Sequence, residues 1–177
     1  MHWLEAIKKY TPYNIQEIKD KETTLKYVNK FDDLLTRENV FAHMTASAFA
    51  VNKEHNKLLM IHHNIYNTWA WTGGHADGME DMLEVAIKEL KEETGIRNIY
   101  KIYNDIISLD IIPVYGHMKK GQYISAHQHI NLTYLIECSE KDILSINHDE
   151  NSGVKWIHFN DISKYSNEYF LLHIMNK

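Results

Sequence analysis

The stretch GGHADGMEDMLEVAIKELKEETGI, from Gly73 to Ile96, limits what this chain can fold into more than any other. It opens with a glycine pair, passes Asp77 and Gly78, and then runs from Glu80 to Thr94 without glycine or proline. The spacing predicts loop, helix, loop. Leu83, Ala86, Ile87 and Leu90 recur at i, i+3, i+4 and i+7, one apolar stripe to lay against a core. Gly95 follows the last periodic residues and can take the left-handed conformation that ends a helix.

At about 100° per residue, Glu89, Glu92 and Glu93 fall within about a third of a turn of one another, off that stripe. Like charges at i+3 and i+4 repel, and acids near a helix C-terminus oppose the macrodipole. Helix propensity alone gives no reason for the cluster. A hard divalent cation reverses the sign of the repulsion, because Mg²⁺ and Mn²⁺ take carboxylate oxygens and share their remaining positions with water and phosphates. The plain alternative is a solvated acidic face relieved by Lys88 and Lys91.

The spacing favours the metal. Gly74, five residues, Glu80, seven residues, then KELKEETGI from Lys88 to Ile96 resembles the signature of the Nudix hydrolase family, G-x(five)-E-x(seven)-R-E-U-x-E-E-x-G-U with U aliphatic. Lys88 stands where the family carries Arg, a point charge in place of a planar fork. Thr72 stands where a proline often precedes the glycine pair. The resemblance implies a metal-dependent hydrolase that cleaves a diphosphate by water attack on phosphorus. It assigns Glu89, Glu92 and Glu93 to metal binding, with the carbonyl of Gly73 as a backbone ligand and Glu80 in a supporting metal role. Glu89 and Glu92 are also the candidates for positioning or deprotonating the water. Mg²⁺, or Mn²⁺, is the implied cofactor.

The chain has 177 residues, 44% of them hydrophobic, enough for one well-cored domain. The division expected is an N-terminal helical extension over residues 1–40, packed on a hydrolase domain over 41–177. A formal charge of −5 offers no broad attraction to nucleic acid or anionic membranes. Cys138 is the single cysteine, which excludes an intramolecular disulfide and a CxxC motif. No signal-peptide or membrane-length apolar run is present, so a cytoplasmic protein is expected. Homodimers are common in the family, and that assembly stays open here.

Along the rest of the chain, Ile18, Leu25, Val28, Phe31 and Leu35 recur at helical intervals before residue 40. His43 to Val51 and Lys57 to His63 read as a hairpin. Trp69 and Trp71 lead into the glycine pair and are either core residues or the approach to the site. Ile106 to Tyr115 is an apolar run in which Pro113 marks an edge or bend, His117 to Ser125 a loop, and Ala126 to Glu137 another strand. Val154 to Phe159 is a last strand, and Asn160 or Asp161 begins a helical stretch that ends near Met175. The fold class is α+β. Together with the resemblance this implies a Nudix-type α/β/α sandwich with a mixed sheet and an added N-terminal helical segment.

Two features lie outside the signature. Glu150, beside Asp149 in the loop before the last strand, matches the place where many Nudix hydrolases carry an extra acid that binds metal or acts as general base. His127 and His129 share one face of a predicted strand by alternation. They are read as substrate-phosphate contacts, as Zn²⁺ ligands together with His43 or His75, or as histidines with no role. The pattern of His43 to Ala48, Gly73 to His75 and His127 to His129 resembles a branch of the family whose substrates are poorly defined.

The leading function is thus pyrophosphohydrolysis of a small nucleoside diphosphate derivative or related nucleotide. The alternative is a nucleotide-sensing or binding module with little or no hydrolase activity. Isoprenoid diphosphate isomerases, related to the family, use a catalytic cysteine, and Cys138 lies away from the expected position. RNA decapping would need a basic surface that this composition lacks.

Overall fold

The computed structural model describes residues 2–65, 67–119 and 121–175. In chain order the elements are α1 (Trp3–Lys9), α2 (Ile15–Val28), β1 (Ala42–Val51), β2 (Lys57–His63), β3 (Thr68–Ala70), β4 (Thr72–His75), α3 (Met82–Thr94), β5 (Ile99–Val114), β6 (His117–Lys119), β7 (Gln122–Ile124), β8 (His127–Cys138), β9 (Asn151–His158), a short 3₁₀ turn, α4 (Ile162–Tyr165) and α5 (Tyr169–Met175). The main sheet runs β3-β2-β1-β8-β5, with β4 also on β1 and β9 also on β2. It is mixed: β1 and β8 are parallel, with Ala42 opposite Gln128 through Val51 opposite Glu137, and the other pairs are antiparallel.

Every residue of β1 is buried, so both faces of this strand meet protein. One face carries Met44, Ala46, Ala48 and Ala50, which join Ile130, Leu132, Tyr134 and Leu109 in the larger core beneath α3. Its small residues let the helix approach closely. Phe49 and Val51 look the other way, into a second core with Leu58, Met60 and Ile157 that Ile162 of α4 and Leu171 and Ile174 of α5 close. Helix, sheet and helix make an α/β/α sandwich of the α+β class. No described helix is long and apolar enough to cross a membrane.

The N-terminal helices are built into this core. Trp3 and Ile7 belong to the larger cluster. The helical periodicity expected to reach Leu35 stops at Val28, and within α2 the register is inverted: Ile18 is exposed while Glu17 is fully buried. The polar side of β5 explains the inversion. Ser108 and Asp110 are buried there, and Glu17 accepts from Ser108 Oγ (3.0 Å), Tyr10 Oη (2.8 Å) and the Tyr13 backbone N–H (2.6 Å). A carboxylate with three donors can be buried where an isoleucine would strand them.

Other boundaries also differ from expectation. The apolar run at Ile106 is the inner part of the longer, bulged β5, which forms one end of the sheet order, as Pro113 suggested. The loop expected over residues 117–125 contains the β6–β7 hairpin, turned at Gly121 with φ 80°. β9 starts at Asn151, three residues earlier than Val154, and the C-terminal helical stretch is broken at Ser166. Trp69 and Trp71 pack on the second core, and Lys155 Nζ lies 4.2 Å from the Trp69 ring centroid.

Candidate active site

α3 carries the acids, and its start is set by Asp81. That side chain accepts from the N–H groups of Leu83 and Glu84, satisfying two donors that the first turn leaves open. The helix therefore begins at Met82 and Glu80 lies ahead of it, 65% exposed in its side chain, with Oε2 3.7 Å from Nε2 of His2. Gly95 ends the helix at φ 76°, as the sequence predicts.

The buried face of α3 is turned relative to the expected stripe. Met82, Val85, Ala86 and Leu90 are buried, while Leu83 and Ile87 only flank the core. This rotation puts Glu93 in line with Met82, Ala86 and Leu90 at i, i+4, i+8 and i+11. The three acids consequently do not form one solvent-facing patch. Glu93 is 3% exposed, Glu89 has 13% of its side chain exposed, and Glu92 has 53%.

The glycine pair is what makes room. Gly73 donates its backbone N–H to Glu93 Oε2 at 3.0 Å. A Cβ at Gly73 would meet the Ala46 carbonyl at 2.8 Å, and one at Gly74 would meet Glu89 Oε2 at 2.6 Å. Burial pushes the Glu93 carboxyl up to about 8, and the charges of Glu150, Glu89 and Glu92 push in the same direction. Burial likewise raises Glu89, against the opposing pull of Lys88. Lys88 reaches both neighbours, Glu89 Oε1 at 3.4 Å and Glu92 Oε2 at 3.6 Å. One ammonium thus serves two carboxylates where the signature has a guanidinium.

Glu150 faces this cluster, since its charge acts on both Glu89 and Glu93. The residue that brings it there was not singled out from the sequence. Asn151 is fully buried and donates from Nδ2 to the Glu93 carbonyl at 3.0 Å, fastening the start of β9 to the end of α3. Asn147 Nδ2 in turn donates to Glu150 Oε2 at 3.0 Å. A lone asparagine next to an acid carries no signal that would have found it. Cys138 is buried with its thiol pushed up to about 12 by burial, so it is no nucleophile.

His127 and His129 also meet, but with other histidines rather than with the acids. Their Nε2 atoms lie 3.2 Å apart, and the rings of His43 and His75 pack around them. Burial lowers His75 to about 3 and His129 to about 2, and lowers His43 too. Burial thus favours the neutral form of these three rings, each with one N–H donor and one lone pair.

Comparison with known proteins agrees with this geometry. The NUDIX domain model matches residues 42–174. A probable DHNTP pyrophosphohydrolase of Lactococcus lactis subsp. cremoris is 30% identical over 96 residues, 54% of this chain and 55% of that protein. The chain thus spans about half the length of that curated relative. Among solved structures, the fold is shared with a C. elegans Ap4A hydrolase in a binary complex (20% identity, 75% of this chain and 92% of that one, TM-score 0.57). It is shared also with the NUDIX domain of Shewanella oneidensis NrtR complexed with ADP ribose (14% identity, 86% and 94%, TM-score 0.58). With its signature helix, its glycine pair and the matched span in agreement, this chain belongs to the NUDIX domain family.

Proposed function

We propose that this protein is a pyrophosphohydrolase that cleaves the diphosphate linkage of a small nucleoside diphosphate derivative or related nucleotide, with Mg²⁺ or Mn²⁺ as cofactor. The observation that carries the reading is the convergence of Glu89, Glu93 and Glu150, two of them with raised carboxyl pKa values. Buried carboxylates that repel one another, with Lys88 half-exposed beside them and the Arg37 guanidinium bonded to Asp77, are an oxygen donor set suited to a hard cation. Glu92 at the rim and the Gly73 carbonyl complete the proposed ligands, and exposed Glu80 keeps at most an outer role. When bound, the cation polarises the diphosphate and lowers the pKa of a coordinated water.

The chain's own residues do the rest. Gly73 N–H fixes the Glu93 carboxylate, the absence of a side chain at Gly74 lets Glu89 lie against β4, and Lys88 limits the spread of Glu89 and Glu92. Glu150 is the proposed base, because it lies in the turn just before β9, next to the Asn151 that is bonded to Glu93, and is not part of α3. The full set of acids speaks for catalysis over a binding-only module. Naming of the curated relative as a probable pyrophosphohydrolase supports the same reaction class. His127 and His129, expected from the sequence as phosphate contacts, are given a different role below. A reducing cytoplasm is the setting inferred from one buried thiol.

The test is phosphate-coupled turnover of nucleoside diphosphate derivatives, dinucleotides and nucleoside triphosphates with Mg²⁺, Mn²⁺ or EDTA. Cleavage of one class that stops with EDTA is expected. Nucleotide binding without cleavage of any compound would replace the enzyme with a binding module.

A further inference from the structure

Four histidines that the carboxylate site leaves unused converge at one end of the sheet. His43 on β1 stands opposite His129 on the parallel strand β8, His127 lies two residues before it, and His75 ends β4 opposite Thr45. The ring pairs 43–75, 43–127, 43–129, 75–129 and 127–129 have centroids 4.8 to 5.1 Å apart. Four imidazoles on one tetrahedral zinc ion, at Zn–N of about 2.0–2.1 Å, would place their centroids ~5.2 Å apart. Nitrogens on one such ion would be ~3.3 Å apart, close to the 3.2 Å between the Nε2 atoms of His127 and His129. His43, His75 and His129 offer nitrogens within 4.8 Å of one another. Movements of about an ångström by ring rotation would bring these to the coordinated spacing.

The hydrogen bonds orient the lone pairs inward. His43 Nδ1 is 3.1 Å from the Asn39 carbonyl and His127 Nδ1 is 2.8 Å from the Ser125 carbonyl. A carbonyl can only accept, so each Nδ1 carries the proton and each Nε2 a lone pair. His43 Nε2 is then buried without a hydrogen-bond partner, an arrangement that is unfavourable unless something binds there. His43 itself is 5% exposed.

We propose that His43, His75, His127 and His129 form a second metal centre, a structural site for a zinc-class transition ion that clamps the glycine-bearing strand β4 to β1 and β8. An all-imidazole donor set selects Zn²⁺, Cu²⁺ or Ni²⁺ over Mg²⁺. Its donors differ from those of the carboxylate site: imidazole nitrogens on β1, β4 and β8 here, carboxylate oxygens on α3 and in the turn before β9 there. Because His75 directly follows Gly73 and Gly74, the ion would hold the strand on which the acids depend.

The experiment is titration of the chelator-stripped full chain with Zn²⁺ and with Co²⁺, followed by visible absorption and thermal melting. It reads metal uptake without hydrolysis, so its outcome is independent of the proposed reaction. One tightly held ion per chain, a tetrahedral Co²⁺ spectrum and a Zn²⁺-raised Tm are expected. His127→Gln and His75→Gln should each weaken uptake by at least about 10-fold and alter the spectrum, whereas His55→Gln, at an exposed histidine that pairs with Glu137 away from both sites, should leave both unchanged. These variants avoid the buried His43, whose loss could unfold the strand. No uptake by the wild-type chain, uptake unaltered in both His127→Gln and His75→Gln, or uptake equally lost in His55→Gln would each overturn the site.

Discussion

Glu93 Oε2 accepts the backbone N–H of Gly73 at 3.0 Å, joining the last turn of α3 to strand β4 twenty residues earlier in the chain, where the sequence predicts a loop. The bond places a carboxylate inside the protein and ties its charge to the position of β4. Burial and neighbouring acids raise that carboxyl from 4.5 to about 8. A raised acid pKa means that the folded chain holds a proton that the unfolded chain releases. Metal-free stability therefore falls as pH climbs from about 4.5 to about 8, by an amount on the order of a few kcal/mol. Mg²⁺ or Mn²⁺ bound there as proposed would take the place of the proton, so the Tm gained on adding metal should be larger at pH 8.5 than at pH 5.5. Melting curves at the two pH values check this, and Glu93→Gln should flatten the dependence.

The two glycines should fail in different ways. At Gly73 an added Cβ meets backbone, the Ala46 carbonyl and the Ser47 Cα, which have little freedom to retreat. At Gly74 it meets only the end of the Glu89 side chain. Gly73→Ala should therefore lower Tm, at an overpacking cost of about 1–3 kcal/mol. Gly74→Ala should melt near wild type yet lose metal affinity and turnover by more than about 10-fold. Circular dichroism melts and turnover at several metal concentrations separate the two.

Asn151 is expected to act through Glu150. Removing its amide leaves the Glu93 carbonyl without that partner and frees the start of β9, at a cost of about 1–3 kcal/mol. Asn151→Ala should also reduce kcat more than it raises KM, because the displaced group is the proposed base. Loss of kcat in Glu150→Gln, with a smaller loss in Asn151→Ala that adds nothing further in the double variant, would tie the pair together.

Asp81→Ala should cost about 1 kcal/mol through loss of the cap and change kcat little. This variant bears on what the sequence discloses. Glu80 and Asp81 are adjacent acids at the start of one helical pattern, and nothing in their order says which one caps; backbone geometry decides it, with Asp81 at φ −89° and ψ 96°. The helix itself, its glycine stop and the family were legible because they depend on local period and fixed spacing. The rotation of α3 that buries Glu93 was not, since Leu83 and Ile87 fit the stripe as well as Met82 and Val85 do. Buried Glu17 was equally hidden, because its partners Ser108 and Tyr10 come from separate elements. The histidines showed in the sequence as residues without a meeting point. Parallel pairing of β1 with β8 supplies it, and a crossover of that kind leaves no local trace.

The account turns on the buried carboxylates serving a metal-assisted cleavage. The most direct measurement is turnover of the best substrate from a nucleotide panel by wild type and Glu93→Gln, each with Mg²⁺ and with EDTA, after melting curves establish that both are folded. Wild type should cleave only with metal, and Glu93→Gln should lose at least about 100-fold in kcat, the scale of one removed electrostatic contact in a transition state. Equal turnover by the two folded proteins, or cleavage by wild type that persists in EDTA, would contradict the account.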